Sequence, residues 1–400
     1  MSNKVDPNLI RDLEHFGLKD ASKCYNCGTC TAICDLATPE NPFPRKLVRY
    51  IQLGQKEKIL HSPEPWLCYY CGDCSIRCPR GAEPGETMMV LRRYLTSLYD
   101  WTGFSRKFYT SETFEIAAVT VVGLLVGLGM IVWGMQAPNP NWQYPAINSI
   151  WPAHQVEIAD LGMAAILSFL LLSNVYRCIR ATLGDLWGKI PLSYFKDEIV
   201  FLLTHVATQK EFGKCKDRQQ WIVHLAIMTG YASVFLMVVL FIAGPLPMLL
   251  ESDIWRFQRD YIPGGAQWYS MLHPIRLIGY YATFAIMYGT TYAIIGRLKK
   301  SKPPYKNTHG TDWMFLILLQ LTTMTGIFIH FAGLLGLVKF TYFIYVVHMM
   351  VAIPMLVLEV PFAKWAHLAY RPVVLFLLKV KARYAAEQVA REPVLAAKGA

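Results

Sequence analysis

Six apolar segments occur in the sequence after residue 113. They lie at about 114–135, 156–177, 221–243, 273–296, 312–334 and 341–362. Each is close to the roughly 20 residues that an α-helix needs to cross the apolar part of a bilayer. The sequence therefore predicts six transmembrane helices. The alternative for one or two of them is a buried helix of a soluble core, and the second segment, with Glu157 and Asp160 in its first turn, is the least clean.

The composition agrees with a membrane protein. Of 400 residues, 54% are hydrophobic and only 17% are charged, whereas soluble globular proteins carry about 25% charged residues. The lysines and arginines behind the net charge of +11 concentrate in 178–220, 297–311 and the tail after 363, and 136–155 has none. The positive-inside rule then places residues 1–112, both basic loops and the tail on the cytoplasmic side of the cytoplasmic membrane. Because topology explains the charge, we expect no nucleic-acid partner.

The region before the first apolar segment holds eight of the ten cysteines. Its N-terminus is charged and lacks the apolar core of a cleavable signal peptide, so we expect it to stay in the cytoplasm. Metal or redox roles for its cysteines are then expected rather than disulfides. Within this region "FPRKLVRYIQLGQKEKIL" (43–60) predicts helix, because Pro44 suits a first turn and Leu47, Val48, Ile51 and Leu60 have helical spacing.

The cysteine spacing C-x2-C-x2-C-x3-C occurs twice, in "CYNCGTCTAIC" and "CYYCGDCSIRCP". This is the run of bacterial ferredoxins, in which three thiolates reach one [4Fe–4S] cluster from a tight loop and the fourth ligates the other cluster. Structural zinc, which also uses C-x2-C pairs, is the alternative. Cys178 and Cys215 have no partner motif, and we expect ordinary thiols there. The spacing predicts one cluster on Cys24, Cys27, Cys30 and Cys78, and a second on Cys68, Cys71, Cys74 and Cys34.

Histidines in apolar segments are candidate functional residues, because an ionisable group in a membrane is costly. His330 and His348 each lie nine residues from Lys339, at the turn between the last two segments. At about 1.5 Å per residue they lie up to roughly 14 Å below that turn, at equal depth. Two antiparallel helices would then present the axial pair of an outer haem b. The alternative is two buried histidines that are hydrogen-bonded to neighbouring carbonyls.

A second pair of histidines is predicted at the cytoplasmic side. His367 follows His348 by nineteen residues, which is about 28 Å along a helix and nearly the whole bilayer core. His224 opens the third segment on the same side. These two histidines would hold an inner haem b, stacked on the outer one. Two alternatives stay open: His205 for the inner ligand in place of His224, and His273 for the outer ligand in place of His330.

His273 and Arg276 are the predicted quinone contacts. They are one helical turn apart at the start of the fourth segment, so both can face one place near the outer haem. An arginine in a span needs a partner or a ligand oxygen, and His273 could accept a proton from a quinol hydroxyl. The alternative is that Arg276 reaches the headgroups and His273 merely begins the helix.

Two stretches of the chain resemble known families. "VVHMMVAIPMLVLEVPFAKWAH" (346–367) resembles the last haem-binding helix of the gamma subunit of respiratory nitrate reductase. In that family two histidines on this helix serve two haems, which implies these roles for His348 and His367. Residues 312–334 resemble the partner helix, and His330 matches its outer ligand. The family's inner ligand on that helix falls near Gln320, which leaves His224 to supply it.

Residues 20–95 look like the small iron–sulfur subunit of heterodisulfide reductase, through "CYNCGTCTAIC", "FPRKLVRYIQLG" and "CGDCSIRCPRG". A fusion of the two modules resembles the membrane subunits of the quinone-interacting membrane-bound oxidoreductases of sulfate-reducing organisms. This resemblance implies menaquinone as substrate and two flavin-containing partners that are similar to the flavin-binding subunit of heterodisulfide reductase. It also implies adenylylsulfate reductase as the final acceptor, in sulfate respiration.

These observations together predict an all-α oxidoreductase subunit that conducts electrons and acts only with partners. Residues 1–112 would form a ferredoxin-type domain with two [4Fe–4S] clusters, 113–368 a transmembrane domain with six spans and two b haems, and 369–400 a cytoplasmic tail. The first alternative is a heterodisulfide-reductase-type membrane subunit with another carrier or acceptor. The second is a membrane scaffold without redox function, whose cysteines bind zinc.

Overall fold

The computed structural model describes residues 4–237 and 274–398. Throughout these residues the regular structure is helical and contains no β-strand, which confirms the predicted all-α class. The end of the predicted third segment, the start of the fourth and His273 lie outside the described residues.

The N-terminal part is built from short helices around one longer helix. The core of this part collects buried side chains from six of the eight helices, including Leu13, Leu47, Trp66 and Tyr94. The helices are α1 (Leu9–Glu14), α2 (Thr29–Ala32), α3 (Arg45–Gln52), α4 (Lys56–Leu60), α5 (Glu64–Leu67), α6 (Asp73–Ile76), α7 (Pro84–Tyr99) and α8 (Phe104–Thr110).

The predicted helix over 43–60 is present as two pieces, α3 and α4. Leu47, Val48 and Ile51 are buried on one face of α3, as their spacing predicts. Gly54 separates the two pieces with a φ of +63°, and a Cβ at this position would lie 2.5 Å from the carbonyl oxygen of Asp6. Only glycine combines a left-handed backbone with so close an approach, which is why the helix stops here.

The second part of the chain contains the long helices. The helices are α9 (Glu112–Met135), α10 (Ala153–Leu183), α11 (Leu192–Asp197), α12 (Ile199–Thr208), α13 (Arg218–Met237), α14 (Pro274–Leu298), α15 (Pro303–Lys306), α16 (Gly310–Leu334), α17 (Val338–Pro354), α18 (Val360–Phe362) and α19 (His367–Lys398). A π-helical turn, Met355–Glu359, joins α17 to α18 after Pro354, where a proline interrupts the regular hydrogen-bond ladder.

Five helices of the described residues are long and apolar enough to cross a membrane. They are Glu112–Met135, His154–Leu186, Arg218–Met237, Gly310–Leu334 and Val338–Phe362. The fourth predicted segment is also a helix, α14, but its many tyrosines and threonines keep it outside this group of five. Large apolar side chains such as Leu124, Leu125 and Leu128 of α9 point outward, as they would toward lipid.

Small residues let the long helices approach each other closely. A Cβ on Gly123 would lie 2.8 Å from the carbonyl oxygen of Met350, and one on Gly127 would lie 2.7 Å from the Met350 sulfur. Without a hydrophobic driving force in lipid, such close packing is what holds membrane helices together. Helix α9 is thereby fixed against α17, which carries His348.

Helix α19 connects the two parts of the molecule. Ala366, Tyr370 and Val374 belong to the same buried core as Trp66 and Tyr99 of the N-terminal part. The rings of Tyr370 and Trp66 meet edge to face, with their centroids 5.3 Å apart. The helix that follows the last apolar segment is therefore packed directly beneath the cysteine-containing loops.

Candidate functional site

The two cysteine runs adopt the same local conformation. In the first, Asn26 and Gly28 have φ values of +59° and +90°, and the Asn26 N–H donates to the Cys24 sulfur at 3.3 Å. In the second, Tyr70 and Gly72 have φ values of +56° and +86°, and the Tyr70 N–H donates to the Cys68 sulfur at 3.3 Å. The glycine after the second cysteine of each run permits the left-handed turn. The repeat in the sequence is therefore also a repeat in the backbone.

One cavity collects cysteines from both runs. Cys68, Cys71 and Cys74 line it together with Cys34, the fourth cysteine of the first run. Cys34 interacts electrostatically with both Cys68 and Cys71. These four are the residues that the crossed assignment gives to the second cluster. Cys24, Cys27 and Cys30 of the first run lie within electrostatic reach of one another, and the Cys78 sulfur accepts from the Ala82 N–H at 3.3 Å.

The pKa values of these cysteine thiols are shifted in different directions. Burial raises the pKa of Cys34 to about 11 and raises the pKa of Cys30. Hydrogen bonds from Thr29 lower the pKa of the exposed Cys27. A cluster binds thiolates, so its assembly must displace protons from the buried thiols.

The donor set fits a [4Fe–4S] cluster. The cysteines Cys34, Cys68, Cys71 and Cys74 line one cavity, and each thiolate would bind a different iron of a cubane. Structural zinc also uses four cysteines, so metal analysis of the purified protein distinguishes the two.

His224 and His367 face each other near the ends of α13 and α19 that adjoin the cysteine-containing part. Their ring centroids are 6.2 Å apart, with an interplanar angle of 64°. His224 Nδ1 hydrogen-bonds to Gln209 Oε1 at 2.6 Å, and His367 Nδ1 hydrogen-bonds to the Lys364 carbonyl. Since each Nδ1 is engaged, Nε2 is the atom by which either histidine would bind a metal, and imidazole–metal bonds are about 2 Å long. A backbone or side-chain partner on the other nitrogen is typical of metal-bound histidines.

His205, the alternative inner ligand, lies apart from the pair of His224 and His367. Its ring stacks on Phe201 and its Nε2 lies 3.5 Å from the Tyr69 hydroxyl. His224 therefore lies opposite His367, and His205 belongs to the contact with the cysteine-containing part. Burial lowers the pKa of His205.

His330 and His348 lie on neighbouring helices that pack against each other, α16 and α17. His348 Nδ1 hydrogen-bonds to the Thr325 hydroxyl at 2.8 Å, and Gly326 leaves room beside its ring. His330 Nε2 hydrogen-bonds to the Tyr280 hydroxyl at 2.8 Å. Among the described residues no direct ring contact joins these two histidines, unlike the inner pair. Gln320 hydrogen-bonds to Thr290 and Thr291 of α14.

The predicted quinone contacts fall at the boundary of the described residues. His273 lies outside them. Arg276 is near enough to His330 to act on it electrostatically, and Tyr280 lies one turn further along α14. The sequence reasoning missed Tyr280, although its i, i+4 spacing from Arg276 could have indicated it.

Aromatic rings connect the cavity of Cys68, Cys71, Cys74 and Cys34 to the inner histidine pair. Tyr69, which follows Cys68, stacks on Phe212 with centroids 4.6 Å apart and planes 14° from parallel. Phe212 in turn meets His224 edge to face at 5.7 Å. The residues Tyr69, Phe212 and His224, named here the aromatic bridge, thus run from the cysteine loop to the histidine pair.

Arg371 fixes the same junction from the other side. It lies one turn after His367 on α19, is buried, and donates from Nε to the Trp66 carbonyl at 3.1 Å. Its guanidinium lies 4.3 Å from the centre of the Tyr69 ring. Nothing in the sequence pattern pointed to Phe212 or Arg371, because each acts through a contact with a residue far away in the chain.

Comparison with known proteins supports the N-terminal assignment. Residues 23–83 match the model of the 4Fe–4S dicluster domain family. A protein of Archaeoglobus profundus that is named as similar to the C subunit of heterodisulfide reductase is 33% identical over 97 residues, which are 24% of this chain and 52% of that protein. The C subunit of the ferredoxin:CoB-CoM heterodisulfide reductase of Methanosarcina acetivorans is 38% identical over 84 residues, which are 21% of this chain and 32% of that protein.

The chain thus spans about a third to a half of the length of these curated relatives. No solved structure matches the chain. The matched residues contain both cysteine runs and most of the residues that line the cavity. The N-terminal part of this protein is therefore a 4Fe–4S dicluster domain that is related to the C subunits of heterodisulfide reductases.

Proposed function

We propose that this chain is a membrane electron-transfer subunit. It would move electrons between the menaquinone pool and soluble flavin and iron–sulfur partner subunits, through two b haems and two [4Fe–4S] clusters. The observation that carries the proposal is the inner histidine pair. Its ring centroids are 6.2 Å apart, and His224 is also the end of the aromatic bridge that begins at the cysteine cavity.

The residues define an order for the electron route. Quinol would react near Arg276 and Tyr280, beside the outer ligands His330 and His348. Electrons would then reach the inner pair, His224 and His367, and cross the aromatic bridge. The first acceptor in the dicluster domain would be the second cluster, on Cys34, Cys68, Cys71 and Cys74. When bound, the haems and clusters would supply one-electron redox chemistry, and the histidines and cysteines named here would hold them.

The first cluster is the proposed exit toward a partner. Its residue Cys27 is exposed, and the neighbouring Tyr25 is 70% exposed with Arg80 over its ring. Exposed aromatic and arginine side chains are common at protein interfaces. The partners that the sequence resemblance implies are two proteins similar to the flavin-binding subunit of heterodisulfide reductase, with adenylylsulfate reductase beyond them.

The proposed topology follows the positive-inside pattern. Residues 1–112 and 369–400 would lie in the cytoplasm, and 113–368 would span the cytoplasmic membrane. The position of α14 beside α13 and α16 supports its proposed role as the remaining span. In this arrangement the packed junction between α19 and the dicluster domain lies at the cytoplasmic face.

Spectroscopy of the purified full-length chain tests the proposal. We expect visible absorption from haem b and from iron–sulfur clusters, two haems per chain, and reduction of both haems by a menaquinol analogue. Absence of haem from anaerobically purified protein would contradict the proposal. Zinc without iron would favour the scaffold function instead.

A second candidate function rests on the relatives. The curated relatives are subunits of heterodisulfide reductases by name, so the chain could serve a heterodisulfide-reductase-type complex with another carrier or acceptor. The proteins that co-purify with the tagged chain distinguish the two. Flavin subunits that pass electrons to adenylylsulfate reductase would support the first function, and a disulfide-reducing subunit would support the second.

A further inference from the structure

A fifth cysteine lies at the cavity of the second cluster. Cys215 comes from the loop between α12 and α13, far from both cysteine runs, and is 5% exposed. It lines the same cavity as Cys34, Cys68, Cys71 and Cys74. Four thiolates complete a cubane, so one of these five sulfurs has another role.

The local structure holds Cys215 in this place. The Gln209 N–H donates to the His205 carbonyl at 2.8 Å, the Phe212 N–H donates to the Gln209 carbonyl at 2.8 Å, and the Cys215 N–H donates to the Phe212 carbonyl at 3.1 Å. These successive turns form one compact loop. The stacking of Phe212 on Tyr69 then clamps that loop onto the dicluster domain.

Cys215 packs beside Cys71. The two side chains line the same cavity and belong to the small cluster around Tyr69 and Phe212. The independent match of residues 23–83 to a 4Fe–4S dicluster family identifies Cys71 as a candidate ligand. A thiol beside a ligand thiolate can donate its S–H to that sulfur, because the thiolate has no proton of its own to donate.

We infer that Cys215 is a positioning residue that donates a hydrogen bond to the Cys71 thiolate and raises the reduction potential of the second cluster. The inference rests on the proposed function. A donor to a ligand sulfur stabilises the reduced cluster, which carries one more negative charge, more than the oxidised one. Since Gln209 of the same loop holds His224, one loop would position the inner haem ligand and set the driving force of the next transfer.

The test compares Cys215→Ala and Cys215→Ser in the full-length chain, with Cys178→Ala as the matched control. Cys178 is also buried and also outside the runs, but it contacts Tyr99. The readouts are iron content, electron paramagnetic resonance and potentiometric titration of each cluster. We expect full iron content in all variants. The second cluster should have a lower midpoint potential in Cys215→Ala, a potential closer to that of the unmodified protein in Cys215→Ser, and no change in Cys178→Ala.

Two results would overturn the inference. Unchanged potentials in Cys215→Ala would show that the thiol exerts no influence on the cluster. Alternatively, the second cluster could be lost in both Cys215 variants and retained in Cys34→Ala. Cys215 would then be a ligand of this cluster, and Cys34 would not. Failure of the proposed function is distinguishable, because it would appear in the unmodified protein as missing haem or as clusters that no quinol analogue reduces.

Discussion

Arg371 Nη2 donates a hydrogen bond to the backbone carbonyl of Cys68 at 2.9 Å. The two residues are 303 positions apart, and each sits beside a proposed cofactor. Arg371 follows His367, the proposed inner haem ligand, by one helical turn, and Cys68 opens the second cysteine run. The bond therefore ties the helix of His367 to the loop that would hold the second cluster.

Replacement of Arg371 should loosen this junction. In Arg371→Ala the buried carbonyls of Trp66 and Cys68 lose their donor, at about 1–3 kcal/mol for each unsatisfied group. Arg371→Lys should rescue only part, because an ammonium group cannot reproduce the planar fork that spans both carbonyls. We expect a lower midpoint of thermal unfolding and slower cluster reduction after haem reduction, measured by stopped-flow absorption.

The control for this experiment is Arg383→Lys. Arg383 lies further along the same helix, and its side chain is 42% exposed in ion pairs with Asp197 and Glu198. Exposed pairs contribute little to stability, so this variant should behave as the unmodified protein. Equal effects of the two arginine variants would contradict a specific role for Arg371.

Cys34→Ser tests the crossed ligation. Cys34 belongs to the first run but lies in the cavity of the second. We expect loss of the second cluster's signal in electron paramagnetic resonance, with about four irons missing out of eight. The first cluster should keep its signal. If only the first cluster were lost, each run would hold its own cluster and the crossing would be wrong.

The local parts of this site could be predicted from the sequence, and the junction could not. The spacing of Cys24, Cys27 and Cys30 predicts a single tight turn. The glycine within that turn predicts a position with a left-handed backbone conformation. The stacking of Tyr69 on Phe212 joins two residues that are 143 positions apart in the chain. No periodicity relates such positions, because only the packing of α12, α13 and α19 brings them together.

The position of Cys215 could not be predicted from the sequence either. A cysteine outside any motif predicts an ordinary thiol, whereas the structure places Cys215 against Cys71. The membrane helices were easier to predict, since length and apolarity are properties of one segment. Even there, the tyrosines and threonines of α14 separate it from the five helices that are apolar enough to span.

The haem pairs are tested by single histidine variants. His224→Ala and His367→Ala should each remove the same one of two haems, because each leaves one axial position empty. His330→Ala and His348→Ala should each remove the other haem. Haem content and redox-difference spectra measure this. His205→Ala, which removes a buried histidine outside the facing pair, is the control and should retain both haems.

Two outcomes would change these assignments. Loss of a haem in His205→Ala but not in His224→Ala would move the inner ligand to α12. Retention of both haems in His330→Ala, with loss of one in His273→Ala, would move the outer ligand to the start of the fourth segment. Gln209→Ala should keep the inner haem and shift its potential, because Gln209 orients the His224 ring.

His205 should make the junction sensitive to acid. Burial lowers its pKa, so the folded state binds the imidazole proton more weakly than the unfolded state, whose value is about 6.5. The unfolded state then holds more protons below that pH, and the free energy of unfolding falls as the pH drops from about 7 toward 5. His205→Gln should flatten this dependence in thermal unfolding measured between these pH values. An unchanged slope would contradict a buried neutral imidazole.

The quinone site is tested by variants that keep both haems. Arg276 is near His330. The Tyr280 hydroxyl is hydrogen-bonded to His330 Nε2. Arg276→Ala should remove a charged hydrogen-bond donor for a quinone oxygen, worth about 1.5–3 kcal/mol, and so slow quinol-driven haem reduction by roughly ten- to a hundredfold. His273→Ala should slow the same step by removing a proton acceptor, and Tyr280→Phe should act in the same direction. Reduction by dithionite, which needs no quinone site, should be unchanged in all three.

Unchanged quinol rates in these variants would place the quinone site elsewhere, and the proposed cytoplasmic face around His205 would be tested next.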